Sequence, residues 1–506
     1  MSHLENHFAS KPPSVAGLTV LALLITLANG CGQSQPELPA AVRKPASTQT
    51  SRAPTPPITT RPAPEPPAAE PAVVAAPASP TPPSSEQPAL AATQPTLVAA
   101  SRVLQAQKAG FRRIESQHLV LLTDLPRDPE IELLPKIFDL AYPQWCDYFS
   151  QPQQPGKTWR MTAFLMGDRA RFRAAGLLPA ALPAFDHGYC AGAQLWLDEQ
   201  PGAYYRRHLL LHEGTHGFMH TVLGGVGPVW YAEGMAELLG THHWADGRLT
   251  LDWFPRSREE VPQLGRIKLV RDTVAAGRLR SLSEILATDP LNRFGNETYA
   301  WCWALASLLD RDARYQPRFR ESRADVLRSD FNARLERRFA ADWDQLNDQW
   351  EVFAATLVHD YDFQRAAIEF APGERLPERG AKVTLRADRG WQSSRVRLEA
   401  GRKYQIRAAG RYQVADKPRI WWCEPGGVTM RYVDGHPLGI LLAAVLPDHR
   451  SSQQPTPLVQ PEVIGLAGTI TPAETGTLYL RINDSPAELA DNAGQLEVKV
   501  ETEPRP

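Results

Sequence analysis

HLLLHEGTHGFMH, residues 208–220, carries four histidines, His208, His212, His216 and His220, each four residues after the last. On an α-helix that spacing lines the side chains along one face, with a drift of about 40° per step. Imidazole is the commonest protein ligand for zinc. Three pairs have the i, i+4 spacing, but only His212-Glu213-Gly214-Thr215-His216 has a glutamate directly after its first histidine. In this HExxH arrangement the two imidazoles share a face and Glu213 lies about 100° further round, able to reach a water at the ion without being a ligand itself. On a straight helix His208 and His216 stand about 12 Å apart along the axis, which disfavours a tetrahedral ion between them. His208 and His220 are therefore read as packing or surface residues.

A third ligand must come from another element. Gly224-Gly225 ends the histidine helix and Gly227-Pro228 continues the turn. Trp230 to Leu239 (WYAEGMAELL) then reads as a second helix with Glu233 and Glu237 on one face. HExxH, a turn and W-x-x-E-G-x-A-E together resemble the gluzincin metallopeptidases of the peptidase-MA-like branch. The resemblance spans residues 101–370, and its specific part is 212–237. It implies zinc held by His212, His216 and Glu233, Glu213 as general base, and Glu237 steadying a ligand histidine from behind. The metzincin pattern HExxHxxGxxH fails, because Met219 and Val222 stand where glycine and histidine are needed. A developing oxyanion needs a hydrogen-bond donor. Tyr299, in NETYAWCWALASLL, resembles the tyrosine that related enzymes place downstream, and Tyr231, His242 and His243 are its rivals. By the same analogy Gln194–Leu197 offers a strand edge to an extended peptide substrate.

Around this core the chain divides by composition. Val15–Ala28 is a run of 14 residues, apolar apart from two threonines, preceded by Lys11 and followed by Asn29-Gly30-Cys31. As a helix it spans about 21 Å against a hydrocarbon core of about 30 Å, so it reads as a signal peptide rather than a membrane span. The small residues before Cys31 resemble a bacterial lipobox, although Ala28 stands where leucine is usual. Residues 1–31 are accordingly expected to be a lipoprotein signal with Cys31 lipidated, anchoring the protein to a membrane of the bacterial cell envelope, outside the cytoplasm. Residues 36–96 hold 17 of the 46 prolines, so 32–100 reads as an extended linker. A formal net charge of −1 with 22% charged residues gives no basis for a nucleic-acid partner. The five cysteines form no CxxC pair; Cys146, Cys190, Cys302 and Cys423 read as ordinary buried thiols.

Periodicity supplies the fold class. Phe111–Asp124, Trp159–Met166 and Gln194–Leu197 read as strands, Glu130–Phe149 as a helix, and Ser281–Asp360 as helical throughout. After Ala371 the pattern changes to short alternating segments punctuated by Gly and Pro. The expectation is an α+β gluzincin-like metallopeptidase lobe with a helical C-terminal half, followed by an all-β sandwich over 371–506.

The closing stretch GTLYLRINDSPAELADNAGQLEVKV, residues 476–500, resembles the last strands of the PA-I type galactophilic lectin domain. That resemblance implies calcium bound by the side chains of Asp484, Asp491 and Asn492, with the backbone at Val414 and Glu488 contributing; oxygen ligation suits calcium. The family's sugar-contacting loop has no counterpart here. Two functions follow as expectations. One is an envelope-anchored zinc metallopeptidase acting on a peptide or protein, with a calcium- and carbohydrate-binding-like accessory module. The other is a surface lipoprotein that binds polysaccharide or protein and carries an inactive peptidase-like lobe. An intact Glu213 favours the first.

Overall fold

Leu119–Thr123 (LVLLT) and Met161–Met166 (MTAFLM) are apolar at successive positions, so both faces of each strand must be covered. A computed structural model describes residues 95–153, 159–289, 295–450 and 454–503. Those two stretches lie inside a five-stranded sheet with helices against each face. Helix α1 (Pro95–Lys108) precedes strands β1 (Arg112–Glu115) and β2 (Leu119–Thr123), and α2 (Pro129–Tyr148) leads to β3 (Met161–Met166). Helix α3 (Arg169–Ala174), the hairpin β4 (Gly188–Ala191) and β5 (Gln194–Asp198), and the histidine helix α4 (Ala203–Phe218) follow. Sheet order is β1-β2-β3-β5-β4; β2, β3 and β5 run parallel, and the two outer strands antiparallel to their neighbours.

Two sequence expectations need correction here. Phe111–Asp124 forms two strands, because the chain reverses at Ser116–His118, where Asp139 of α2 accepts from Ser116 Oγ and His118 N, each at 2.8 Å. Gln194–Leu197 lies in β5, which is flanked on both sides, and β4 takes the edge. Helix α1 also begins six residues inside the stretch read as linker. The signal segment, Cys31 and the rest of the linker lie outside the described residues. Among the described residues no helix is long and apolar enough to cross a membrane.

Alternation sorts the sheet's side chains into two layers. Leu119, Leu121, Ala163, Leu165, Leu195 and Leu197 join the core beneath α2 and α4. Val120, Leu122, Phe164, Met166 and Trp196 pack on the opposite face with Phe172 of α3 and Val103 and Ala106 of α1. Helix α2 starts cleanly because Asp128 accepts from Glu130 N at 2.7 Å and Pro129 needs no partner for a missing N–H. The histidine helix lies very close to it. A Cβ at Gly214 would stand 2.7 Å from Phe138 and 2.8 Å from Trp145. The glycine, worth about 1 kcal/mol less than alanine in a helix interior, is what allows that approach.

After Phe218 the chain widens into a π turn over Met219–Leu223, which ends at Gly224 with φ of 81°. Helix α5 (Val229–Gly240) then returns alongside α4. A small hairpin, β6 (His243–Ala245) and β7 (Arg248–Thr250), precedes the helices α6 (Arg266–Ala275), α7 (Leu282–Leu286), α8 (Asn296–Arg311), α9 (Gln316–Glu321), α10 (Phe331–Phe339) and α11 (Trp343–Thr356). Buried Trp230, Trp301, Trp303 and Trp350 fill the space between them.

From residue 374 onward the described chain is built mainly of strands. One sheet combines Gly426–Val433, His436–Pro447, Gly476–Ile482, Gln392–Leu398 and two short strands; the other orders Ala467–Ile470, Tyr404–Ala409, Gln495–Thr502 and Ala381–Arg386. Leu398, Ile406, Leu441, Leu478, Val498 and Val500 share the core between them. The outer face of the first sheet, at Leu442, Ala444 and Tyr479, packs with Val352 of α11. Mixed α and β structure, helical in its middle and β-rich at its C-terminal end, matches the expected succession. Cys146, Cys190, Cys302 and Cys423 are unpaired; Cys190 is half-buried and the rest buried.

Candidate metal centre

Helices α4 and α5 cross so that three side chains meet. His212 Nε2 lies 3.3 Å and His216 Nε2 3.4 Å from Glu233 Oε2. Ligand bonds of about 2.0–2.1 Å at tetrahedral angles put neighbouring donor atoms about 3.3 Å apart, so the spacing is that of a zinc site's edge. Glu233 Oε2 is buried, and no hydrogen bond of acceptable geometry satisfies it. A buried carboxylate needs a cation, a role open to the protonated imidazoles or to a metal ion. The residues present therefore fit a zinc ion.

Charge at the cluster is strongly perturbed. Burial alone would lower His212, but facing Glu233 and Glu237 outweighs it and raises the imidazole to about 10. Burial would raise Glu233, yet His216 and His212 hold it down at about 2. Glu237 lies 3.4 Å from His212 Nδ1 and 3.5 Å from His208 Nε2, and accepts both nitrogens of the Arg266 fork at 2.9 and 2.7 Å. Burial opposes its charge, but Arg266 and His208 keep its pKa low. Glu237 thus stands behind His212 rather than His216.

His208 is buried one turn earlier and touches Glu237, a contact the spacing argument did not foresee. His220 lies in the π turn, off the α-helical line of the other three, and is exposed. Among the described residues it belongs to no group able to hold a metal.

Glu213 is buried and turned toward the edge strand β4. Burial raises its pKa, with His212 and His216 opposing. Gly188 makes room for it: a methyl there would stand 2.5 Å from Glu213 Oε1 and 2.9 Å from Leu209 Cδ1. We expect Gly188→Ala to keep the metal and displace Glu213. A misplacement of about 1 Å near a reacting centre costs on the order of 10²-fold in rate. Zinc content and peptide turnover of this variant check it; unchanged turnover would mean that Glu213 needs no such clearance.

Of the four candidate oxyanion donors, Tyr299 is the one against the cluster, its ring 6.0 Å from that of His212. Burial, followed by the nearby Glu233, Glu213 and Glu237, pushes its pKa up, keeping the hydroxyl protonated and able to donate. Tyr231 packs among Trp230, Phe319 and Phe331, His242 stacks on Tyr204 with Nδ1 2.8 Å from Gly240 O, and His243 stacks on Trp253.

In the C-terminal domain Asp484 Oδ2 accepts from Asn492 Nδ2 at 2.9 Å and its Oδ1 from Ser485 N at 2.7 Å. Asp491 Oδ1 and Asn492 Oδ1 are buried without partners. Burial pushes Asp484 up to about 7 and raises Asp491 as well. Gln413 N donates to Ala493 O at 2.9 Å, bringing the strand that holds Val414 beside the loop. The Glu488 carbonyl accepts from Asp491 N at 3.3 Å, and its carboxylate pairs with Arg431. Leu489, in the middle of the loop, is buried in the core of the helical lobe.

No family model and no curated protein matches the chain. Among solved structures it is similar to the EclA N-terminal domain, a PllA-like lectin, at 22% identity over 24% of this chain and 95% of that domain, with a TM-score of 0.18. A likeness at that score decides neither fold nor ligand.

Proposed function

We propose that the lobe is a gluzincin-type zinc metallopeptidase. The observation that carries this reading is the unsatisfied Glu233 Oε2 at 3.3 and 3.4 Å from two imidazole nitrogens, with Glu213 beside them on the same helix. His212, His216 and Glu233 would hold the ion, which supplies a polarised carbonyl and a water whose pKa falls to about 7. An extended peptide pairs with the edge of β4, which places its backbone beside Glu213. Glu213 takes the proton of the attacking water and returns it to the leaving nitrogen. Burial raises the pKa of Glu213, which makes it a stronger base for the capture step. Tyr299 donates to the carbonyl oxygen as negative charge develops there. Digestion of a peptide library tests the proposal: cleavage should stop on chelation and resume with zinc. Cleavage indifferent to a chelator, or none from the zinc-loaded protein, would overturn it.

For the C-terminal domain we infer a calcium site at Asp484, Asp491 and Asn492. Two buried acceptors without partners and a carboxylate forced up by burial favour a hard cation. Only two carboxylates are present in that trio, so the ion would draw on the amide and on backbone carbonyls. Millimolar calcium is expected to raise the melting temperature, since it binds the folded loop alone. The Asp484→Ala, Asp491→Ala double variant should lose the shift. A melting curve identical with and without calcium would remove the site. Attachment to the cell envelope through Cys31 remains a proposal resting on the sequence.

A further inference from the structure

Arg266 opens α6 and is buried, its side chain 7% exposed. Its guanidinium meets α4 and α5, which carry the three candidate ligands, and α8, which carries Tyr299. Nε and Nη2 donate to the two oxygens of Glu237 on α5 at 2.9 and 2.7 Å. Nη1 lies 3.5 Å from the carbonyl oxygen of Asn296, the first residue of α8, and Cζ lies 5.5 Å from the centroid of the Tyr299 ring one turn on. Tyr205 of α4 stands beside it. Held on three sides, the fork cannot follow a swinging carboxylate; the carboxylate must adopt the plane that the fork presents.

Glu237 passes that constraint on. Its Oε1 lies 3.4 Å from His212 Nδ1, so a proton held on Nδ1 leaves Nε2 free for a metal. His208, His212 and Glu237 are also close enough to hold an ion of their own. The Arg266 fork already covers both Glu237 oxygens, so the guanidinium supplies the positive charge that a second ion would bring.

We propose that Arg266 is a positioning residue for the metal centre, acting through Glu237 to fix the plane and tautomer of His212. The inference rests on the zinc reading of the site. It is tested in the full chain by zinc affinity, measured in competition with a chelator of known strength, for Arg266→Lys, Arg266→Met, Glu237→Gln and the Arg266→Met, Glu237→Gln double variant. Arg266→Met should weaken zinc by about 10–100-fold, the usual effect of losing an outer partner of a ligand. Lysine keeps the charge but not the fork, so Arg266→Lys should fall between Met and wild type. The double variant should bind no more weakly than Glu237→Gln alone, because the two residues act as one unit. That pattern separates positioning from general destabilisation, which would lower affinity independently in each variant. Should Arg266→Met fail to fold with Glu237 left unpaired, the Lys and double variants carry the same comparison.

Wild-type affinity in the Arg266 variants would overturn the inference and leave the zinc site standing. Losses that multiply in the double variant would overturn it too. A wild-type protein that binds no zinc would overturn the site itself, and the inference with it.

Discussion

Glu213→Gln is expected to keep its zinc and to lose about 10²–10⁴-fold in peptide turnover, the usual contribution of a general base. The amide has the shape of the carboxylate and fits the space left by Gly188, so helix packing is undisturbed. It cannot accept a proton from water. Because Glu213 is not among the donor atoms that converge on the metal position, zinc content should not change. The loss should appear in kcat rather than in KM, since the interaction forms as the water attacks. Turnover at the wild-type rate, with zinc bound, would mean that Glu213 is not the base.

Glu233→Ala should have the larger effect on the metal. It removes the oxygen that both histidines face, leaving two imidazoles on one helix and no donor from α5 at that position. Two such ligands do not make a tetrahedral catalytic site, so stoichiometric zinc should be lost and hydrolysis with it. His220→Ala provides the contrast: exposed in the π turn, it should leave zinc at the wild-type level. A variant pair behaving the other way round, with His220→Ala emptying the site and Glu233→Ala not, would put the third ligand elsewhere.

The meeting of His212, His216 and Glu233 was partly legible because half of its spacing is local. The i, i+4 pair puts two imidazoles on one helix face and the glycine-marked turn announces a second helix, whereas Glu233 and Glu237 were singled out by the resemblance to the gluzincins. Among the four candidate donors the sequence offered no choice; packing sets the Tyr299 ring beside His212 and the other three further off. The sheet edge was misread, because strand order is a property of long-range pairing. Gln194–Asp198 has the stronger apolar pattern for the same reason that it is interior, whereas Gly188–Ala191 is short and half-buried. The reversal at Ser116–His118 lacks the glycine or proline that marks most turns and depends on Asp139 of a later helix. Arg266 stood out least. An arginine at a helix start gives no signal in sequence, and its place beside Glu237, 29 residues earlier, exists only after the helices pack.

The central claim is that His212, His216 and Glu233 hold zinc, and elemental analysis of the purified wild-type protein against its Glu233→Ala variant tests it most directly. Stoichiometric zinc in the wild type, absent from a variant that remains folded, is the predicted result. A folded wild-type protein free of zinc after exposure to it, or a Glu233→Ala variant with wild-type zinc content, would contradict the account.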